Sequence, residues 1–448
     1  MKKLSFAEIK EFQKDMLGFA QKTAVTDGGI THLKVLNMHM FLVSEPAAVR
    51  EILVHHSHQL HRDPFVSRVF KRFMGNGVFV AEGDLWKKQR KLMQPAFHAT
   101  RIRAYTDIMA HYAREMVESW QPGQTLPVDE ALTHLTLRII AKTMYDVDIA
   151  EETAVIGHNM KEILSIVEEQ LKMTFVPPQW LPTRQNRRYH AAYQNITNLL
   201  RQIIHQRQAT AADHGDLLSM LLSVRDEEGN PMPEQQLLDE CLTLFVAGHE
   251  TTAAVLTWTW YLLSQYPAIA QQLYEQIDAV LGDQPITFDK LPELPLLEAV
   301  IKETMRLYPP AFSFGRTVME PFTANDTTFP QGAVVLFLSY ITHRRPDLYA
   351  EPTAFKPERF LDKTNEPDRY TYYPFGAGPR ICLGNMFAML EAQVILATMM
   401  QQVGLQLAVT KPVEVDTVVT LRPKEALLMR VAERPFTPTK NGLHLEAV

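Results

Sequence analysis

The sequence predicts a mainly α, α+β fold, a large helical body carrying a small β region. Three observations lead there. Helical apolar periodicity dominates residues 84–309 and returns over 346–405. Short alternating segments collect near 25–60 and 310–345, with a few more towards the end. No Gly/Ser-rich linker or low-complexity stretch divides the 448 residues, so a single domain spanning 1–448 is expected. Hydrophobic content of 46% and charged content of 21% suit a soluble globular chain, and a net charge of −6 argues against general nucleic-acid binding. Two cysteines, Cys241 and Cys382, are too few for a disulfide framework and suit the reducing cytoplasm.

At the N-terminus Phe6, Ile9, Phe12, Met16 and Phe19 recur at helical spacing among charges, with Ser5 and Glu8 placed as a capping box. This predicts an amphipathic surface helix, since a signal or membrane anchor needs a continuous apolar run. After Asp27-Gly28-Gly29, Thr31 to Leu36 and Met38 to Val43 read as a hairpin, and Ser44 is expected to cap a helix through Leu53. His55 to Val80 lacks sustained periodicity and reads as a long irregular loop. From Asp84 to Met93 a helix places Trp86 and Arg90 on one face, among Lys87, Lys88 and Lys91. Helical patterns follow over Ile102 to Trp120, Leu132 to Tyr145, Ala154 to Met173 and Arg184 to Thr210, with Pro177, Pro178 and Pro182 separating the last two.

The longest helix, Glu234 to Gln265, is apolar on most faces and contains AGHETT, Ala247 to Thr252. Gly248 and two β-branched residues weaken the helix there. The Thr251 hydroxyl can compete for the Ala247 carbonyl and open a kink, beside which Glu250 and Thr251 could hold water and pass protons. Cys241, earlier on this helix, reads as a small buried side chain. Beyond a Pro-bearing connection from Pro285 to Pro295, LLEAVIKETMRLYPP sets Glu303 and Arg306 on one helical face, and FKPERF follows over Phe355 to Phe360. Pro310 to Gly315 should turn into a strand. Val334 to Ser339, Leu405 to Val409 and Val418 to Leu421 complete the strand candidates.

The chemistry concentrates in TYYPFGAGPRICLGNMFAMLE, Thr371 to Glu391. A cysteine ligates metal as a thiolate, which needs N–H donors and positive charge around it. Gly376, Gly378 and Gly384 let backbone amides approach the Cys382 sulfur, and a helix starting near Gly384 adds its N-terminal amides. Arg380 supplies a fixed cation suited to a carboxylate, and Phe375 can shield the sulfur from water.

The pattern formed by Phe375, Gly378, Arg380, Cys382 and Gly384 resembles the haem-thiolate loop of the cytochrome P450 family, and every position is filled. The resemblance implies that fold, a haem b (iron protoporphyrin IX) and an axial thiolate from Cys382. It extends over nearly the whole chain. The Trp86/Arg90 pair, Arg316 and Arg380 would grip the haem propionates. AGHETT is similar to the oxygen-activation segment, where Ala247 and Gly248 border the haem, Thr251 would steady dioxygen and Glu250 would relay protons. Glu303, Arg306 and Arg359 match a buried charge network that holds the cysteine loop. The long loop before residue 84 and the helices flanking Pro177 would cover the substrate channel.

The implied activity is that of a soluble, bacterial-type monooxygenase that hydroxylates or epoxidises a hydrophobic substrate with O2 and two externally supplied electrons. With no flavin or iron–sulfur segment in the sequence, the donor is expected to be a ferredoxin or flavodoxin with its NAD(P)H-dependent reductase, drawn to the lysines beside Trp86. No nucleic acid, no membrane anchor and a monomeric, cytoplasmic enzyme are expected. Pocket candidates Phe65, Phe79, Phe245, Ala247, Ala311 and Phe312 are apolar and suit a long-chain lipid or terpenoid. AGHETT and KETMRLYPP look closest to fatty-acid-hydroxylating branches. Two other readings stand beside this one. A peroxide-driven haem enzyme usually lacks the acid and alcohol found at Glu250 and Thr251, and a haem sensor or carrier needs no proton relay.

Overall fold

The computed structural model describes residues 2–24, 29–173, 176–210, 213–225, 228–362, 364, 366–408, 411–417 and 419–434. The helices in chain order are α1 (Phe6–Lys14), α2 (Met16–Ala24), α3 (Pro46–Val54), α4 (Pro64–Met74), α5 (Gly83–Met93), α6 (Ala99–Arg103), α7 (Thr106–Glu118), α8 (Val128–Tyr145) and α9 (Thr153–Leu171). They continue with α10 (Arg184–Thr210), α11 (Leu217–Ser223), α12 (Glu234–Gln265), α13 (Pro267–Leu281), α14 (Pro295–Leu307), α15 (Ser339–Thr342) and α16 (Asn385–Met400). The central member is α12. Leu237, Leu238, Leu242, Leu256 and Leu263 are all buried, and the helix packs on α8, α14 and α16. An apolar surface on most faces requires such surroundings.

Strands β1 (Lys2–Lys3), β2 (Ile30–Val35), β3 (Met38–Val43), β4 (Leu60–His61), β5 (Thr125–Pro127), β6 (Phe314–Val318), β7 (Phe322–Ala324), β8 (Thr327–Phe329) and β9 (Val334–Phe337) precede β10 (Gly404–Leu407), β11 (Val415–Thr417), β12 (Leu421–Pro423) and β13 (Leu428–Ala432). The main sheet runs β1-β2-β3-β9-β6-β4. Its predicted hairpin pairs Ile30 with Val43, and β3 joins β9 in parallel, Met40 opposite Val334. Strands β10-β13-β5 form a second sheet, and β11-β12 and β7-β8 are separate hairpins. Val409 and Val418, the inner ends of two predicted strands, and Asp27 and Gly28 lie outside the described residues.

Several boundaries differ from expectation for local reasons. Ser5 and Glu8 do form the capping box of α1, but the helix stops at Asp15, whose side chain accepts from Gly18 N (2.8 Å) and starts α2. Ser44 donates through its backbone N to Gly29 O (2.8 Å), leaving Pro46 to open α3. The supposed loop from His55 to Val80 contains α4, capped by Asp63, which accepts from Phe65 N and Val66 N at 2.9 Å. Ile102 to Trp120 is divided between α6 and α7.

Candidate active site

The cysteine loop closes through Cys382 N donating to Phe375 O (3.0 Å) and Gly376 N to Tyr373 O (3.0 Å). Gly378 has φ of 73°, and a Cβ there would stand 2.6 Å from Leu53 O, so only glycine serves. Gly384 is different. At φ −90° a Cβ would make ordinary contact with Phe97, so its contribution is its N–H, directed at the Cys382 sulfur. Burial pushes the Cys382 thiol up, while the Gly384 N–H and the Arg90 guanidinium pull the other way without overcoming it. The expected donors are thus present around the sulfur.

A cavity of about 320 Å³ separates this loop from α12. Phe375, Gly376, Arg380, Cys382 and Gly384 line one side and Ala247, Gly248, Thr251 and Thr252 the other, with Trp86, Arg90, Phe79, Ala311 and Arg316 between them. Arg90 and Arg380 stand 5.9 Å and 4.4 Å from the Trp86 ring centroid. Arg380 also pairs with Glu82 and donates to Ala81 O (3.0 Å).

Arg62, which sequence reasoning missed, also lines the cavity, its guanidinium 4.3 Å over the Phe79 ring. Its Nε is buried and has no acceptor among the described residues. Burial, then crowding by Arg316 and Arg380, pulls Arg62 down to about 9. Burial and Arg380 pull Arg316 to about 10. Glu82 alone offsets these charges, so the edge of the cavity holds surplus cation that a carboxylate-bearing ligand would relieve. A thiol on one face, guanidinium donors at the edge and apolar walls between them fit an iron porphyrin with its propionates.

On the opposite wall, Thr251 Oγ1 donates to Ala247 O (2.9 Å), yet α12 stays helical through AGHETT. Glu250 does not line the cavity. It accepts from Thr420 Oγ1 (2.9 Å) and Arg422 Nη1 (3.3 Å), and Arg422 also reaches Glu168 of α9 (2.7 Å) and Asp416 (3.3 Å).

Of the apolar candidates, Phe79, Ala247 and Ala311 line the cavity; Phe65, Phe245 and Phe312 do not. The lining stripe of α12 runs through Leu244, Ala247, Thr251 and Val255, and Phe245 falls on another face, against Tyr145 and His249. Phe312, next to Ala311 and ahead of β6, turns to Leu17 and Leu421, while Phe65 packs on the main core from α4. The helical spacing around Thr251 was the available signal for Leu244 and Val255; Arg62 had none.

Behind the loop, fully buried Arg306 donates to Glu303 through Nε (2.7 Å) and Nη2 (2.8 Å), and through Nη1 to the His343 and Pro352 carbonyls at 2.7 Å. Arg359 Nε adds a bond to Glu303 (3.4 Å).

The sequence model of the cytochrome P450 family matches residues 4–429. The chain is 33% identical to cyclooctat-9-en-7-ol 5-monooxygenase of Streptomyces melanosporofaciens over 83% of this chain and 81% of that one. It is 30% identical to pentalenene oxygenase of Streptomyces avermitilis, covering 91% of each. The crystal structure of the cytochrome P450DA haem domain superposes with a TM-score of 0.84 at 24% identity, covering 93% and 92% of the two chains. The chain therefore belongs to the cytochrome P450 family and has its fold. It is an oxidoreductase of the monooxygenase kind, whose haem takes a cysteine thiolate and whose reaction draws on O2, a redox partner and a hydrophobic substrate. Among the described residues no helix is long and apolar enough to cross a membrane.

Proposed function

We propose that this enzyme oxygenates a cyclic terpenoid, with Cys382 as the thiolate ligand of its haem. One observation carries the site assignment: the Cys382 sulfur and Thr251 face one apolar cavity whose edge holds more guanidinium charge than Glu82 offsets. Trp86, Arg90, Arg316 and Arg380, joined by Arg62, hold the haem propionates. Phe375 and Gly376 would shape the loop that holds it, and Ala247 and Gly248 would border it along α12. The bound haem supplies O2 activation and insertion of one oxygen atom into a C–H or C=C bond, aided by electron donation from the thiolate.

The protein's own part is to orient, exclude water and deliver protons. Thr251 Oγ1, directed to the Ala247 carbonyl, stands where a hydroxyl can pass a proton into the cavity. Glu250 replenishes it from outside the lining, its carboxylate held by Thr420 and Arg422. An acid and an alcohol in these places favour O2 over peroxide as oxidant. Glu303, Arg306 and Arg359 hold the loop without touching the reaction.

A terpenoid is favoured over a fatty acid because relatives named for cyclooctat-9-en-7-ol and pentalenene match most of the chain, and the lining of Phe79, Leu244, Val255 and Ala311 is apolar. Electrons come from a ferredoxin or flavodoxin with its NAD(P)H-dependent reductase, met by Lys87, Lys88 and Lys91, and the enzyme acts as a cytoplasmic monomer. Two measurements test the reading. The reduced, carbon monoxide-treated protein should show a strongly red-shifted Soret band that Cys382→Ala abolishes. A panel of cyclic terpene hydrocarbons should give oxygenated products with O2 and a donor. An unshifted band defeats the ligand assignment, and products from fatty acids alone defeat the substrate class.

A further inference from the structure

Away from Thr251 and Glu250, a second line of polar groups crosses the apolar core. On α16, Glu391 is 0% exposed, and neither carboxyl oxygen has a hydrogen-bond partner among the described residues. Thr252 Oγ1 stands beside it but is directed to Gly248 O (3.4 Å). Two turns further along the same face of α16, Thr398 Oγ1 is also buried with no partner among the described residues. Helix α12 repeats this spacing, since Thr252 is followed by Thr259, whose hydroxyl meets that of Thr304 on α14 (3.2 Å). The rest of α16 is apolar here, with Leu390, Val394, Ile395 and Met399 buried. The line has two ends. Thr252, with Ala388 and Ala392 on either side of Glu391, borders the cavity. At the far end a surface groove of about 880 Å³ is lined by Trp260 and Tyr274, by Gly404 and Leu405 just past α16, and by exposed Gln265 and Lys411. Trp260 Nε1 is buried there with no acceptor among the described residues. Thr252 beside Glu391, and Trp260 sharing the groove with Gly404, mean that α12 and α16 run in the same direction from cavity to groove. Buried polar groups in native folds are paired, and where no protein group serves, ordered water does. A carboxyl, a hydroxyl and an indole N–H left open along one seam supply the donors and acceptors that such water needs.

We propose that the seam between α12 and α16 holds internal water and conducts protons from the surface groove to the cavity, Glu391 passing them to the Thr252 hydroxyl. Use of the proton rests on the oxygenase reading above; the water does not.

Burial pushes the Glu391 carboxyl up to about 8, so near neutrality it holds a proton to give. In the transfer the carboxyl O–H bond breaks as Thr252 Oγ1 takes that proton and releases its own into the cavity. Seam water then reprotonates the carboxylate, and solvent in the groove restores the water. No electrons move. Thr398 Oγ1 and Trp260 Nε1 hold the water in file, and this inlet is separate from the one through Glu250.

Infrared spectra of the haem-loaded enzyme read the seam without any substrate. The carboxylic acid C=O band that Glu391→Gln removes should lie at a hydrogen-bonded position and shift in D2O faster than the protein unfolds. Should Glu391→Gln not fold, Glu391→Asp keeps the acid and identifies the band by moving it. Thr398→Val, of equal size, should slow the deuterium shift by about tenfold, the scale of one hydrogen bond. A band at the position of an isolated acid, or one that exchanges only on unfolding, means a dry seam and overturns the proposal. The inlet is read separately. With electrons from a surrogate ferredoxin and reductase, Glu250→Gln should still consume O2, and adding Thr398→Val should lower that rate several-fold. Equal rates with and without Thr398→Val overturn the inlet. Neither readout depends on which product forms, and the infrared band stands even if the thiolate assignment fails.

Discussion

Glu391 on α16 is fully buried beside the Thr252 hydroxyl and forms no ion pair among the described residues. Burial pushes its carboxyl up to about 8, the Thr252 hydroxyl pulling the other way, so the fold carries it as a neutral acid. A folded-state value above the unfolded one means that the native state holds the proton more tightly. The resulting stability is present at low pH and is lost from the ordinary carboxylate range up to about 8. The slope is about 1.4 kcal/mol per pH unit at most. Glu391→Gln should flatten it in urea titrations run at several pH values, and parallel profiles would show that the acid is compensated in the fold. Arg62 gives a test of opposite character. Its Nε has no acceptor among the described residues, and its charge, eased by Glu82, is repelled by Arg316 and Arg380, so Arg62→Leu should leave the haem-free protein as stable or more so. The same variant should release haem to apomyoglobin roughly tenfold faster, the worth of one charge-assisted bond. A stable apoprotein with unchanged haem release would exclude Arg62 as a propionate partner.

Elements were legible in proportion to the regularity of their pattern. The bounds of α12 and α10 coincide with those read from periodicity, because a long run leaves little freedom. By contrast α4 escaped notice, although Asp63-Pro64 is a helix-start signal and Val69, Phe70, Phe73 and Met74 form its buried face. Glycines and histidines around it masked a short period. If the Asp63 cap sustains α4, Asp63→Ala should cost about 1 kcal/mol in urea unfolding; no loss would place the helix under tertiary control alone. The β11–β12 hairpin matters for another reason. It carries Arg422, which ties Glu250 of α12 to Glu168 of α9, so the acid assigned to proton delivery is shared with a neighbouring helix. Arg422→Ala should lower product formed per electron consumed, by several-fold if Glu250 must be held where it is. Unchanged coupling would make the tether purely structural.

At the scale of the molecule, the candidates that gather at the cavity are those whose chemistry restricts residue type at set offsets: Cys382 with Gly376 and Gly384, Trp86 with Arg90, and Thr251. Phe245 and Phe312 do not line the cavity, because facing depends on helix phase and on the course of the backbone, which only packing decides. The charge network shows how distant segments are joined. Arg306 on α14 donates to the His343 carbonyl, and the His343 imidazole, held neutral by burial, accepts from Tyr373 N (2.9 Å), two residues before Phe375. Tyr373 OH is in turn 2.7 Å from Thr342 Oγ1. An ion pair with both members fully buried adds little by itself, since desolvation offsets most of its attraction, but removing one member strands the other. Arg306→Leu should therefore cost about 3–5 kcal/mol and loosen the cysteine loop, read as accelerated haem loss alongside unfolding. Glu303→Leu should do the same. The double variant separates the two possible roles. If the pair only balances charge, joining both leucines should recover most of the stability and the haem. If Arg306 is needed for the carbonyls of His343 and Pro352, stability should return in part while haem loss stays fast, because His343, which holds Tyr373 N, has then lost its own anchor.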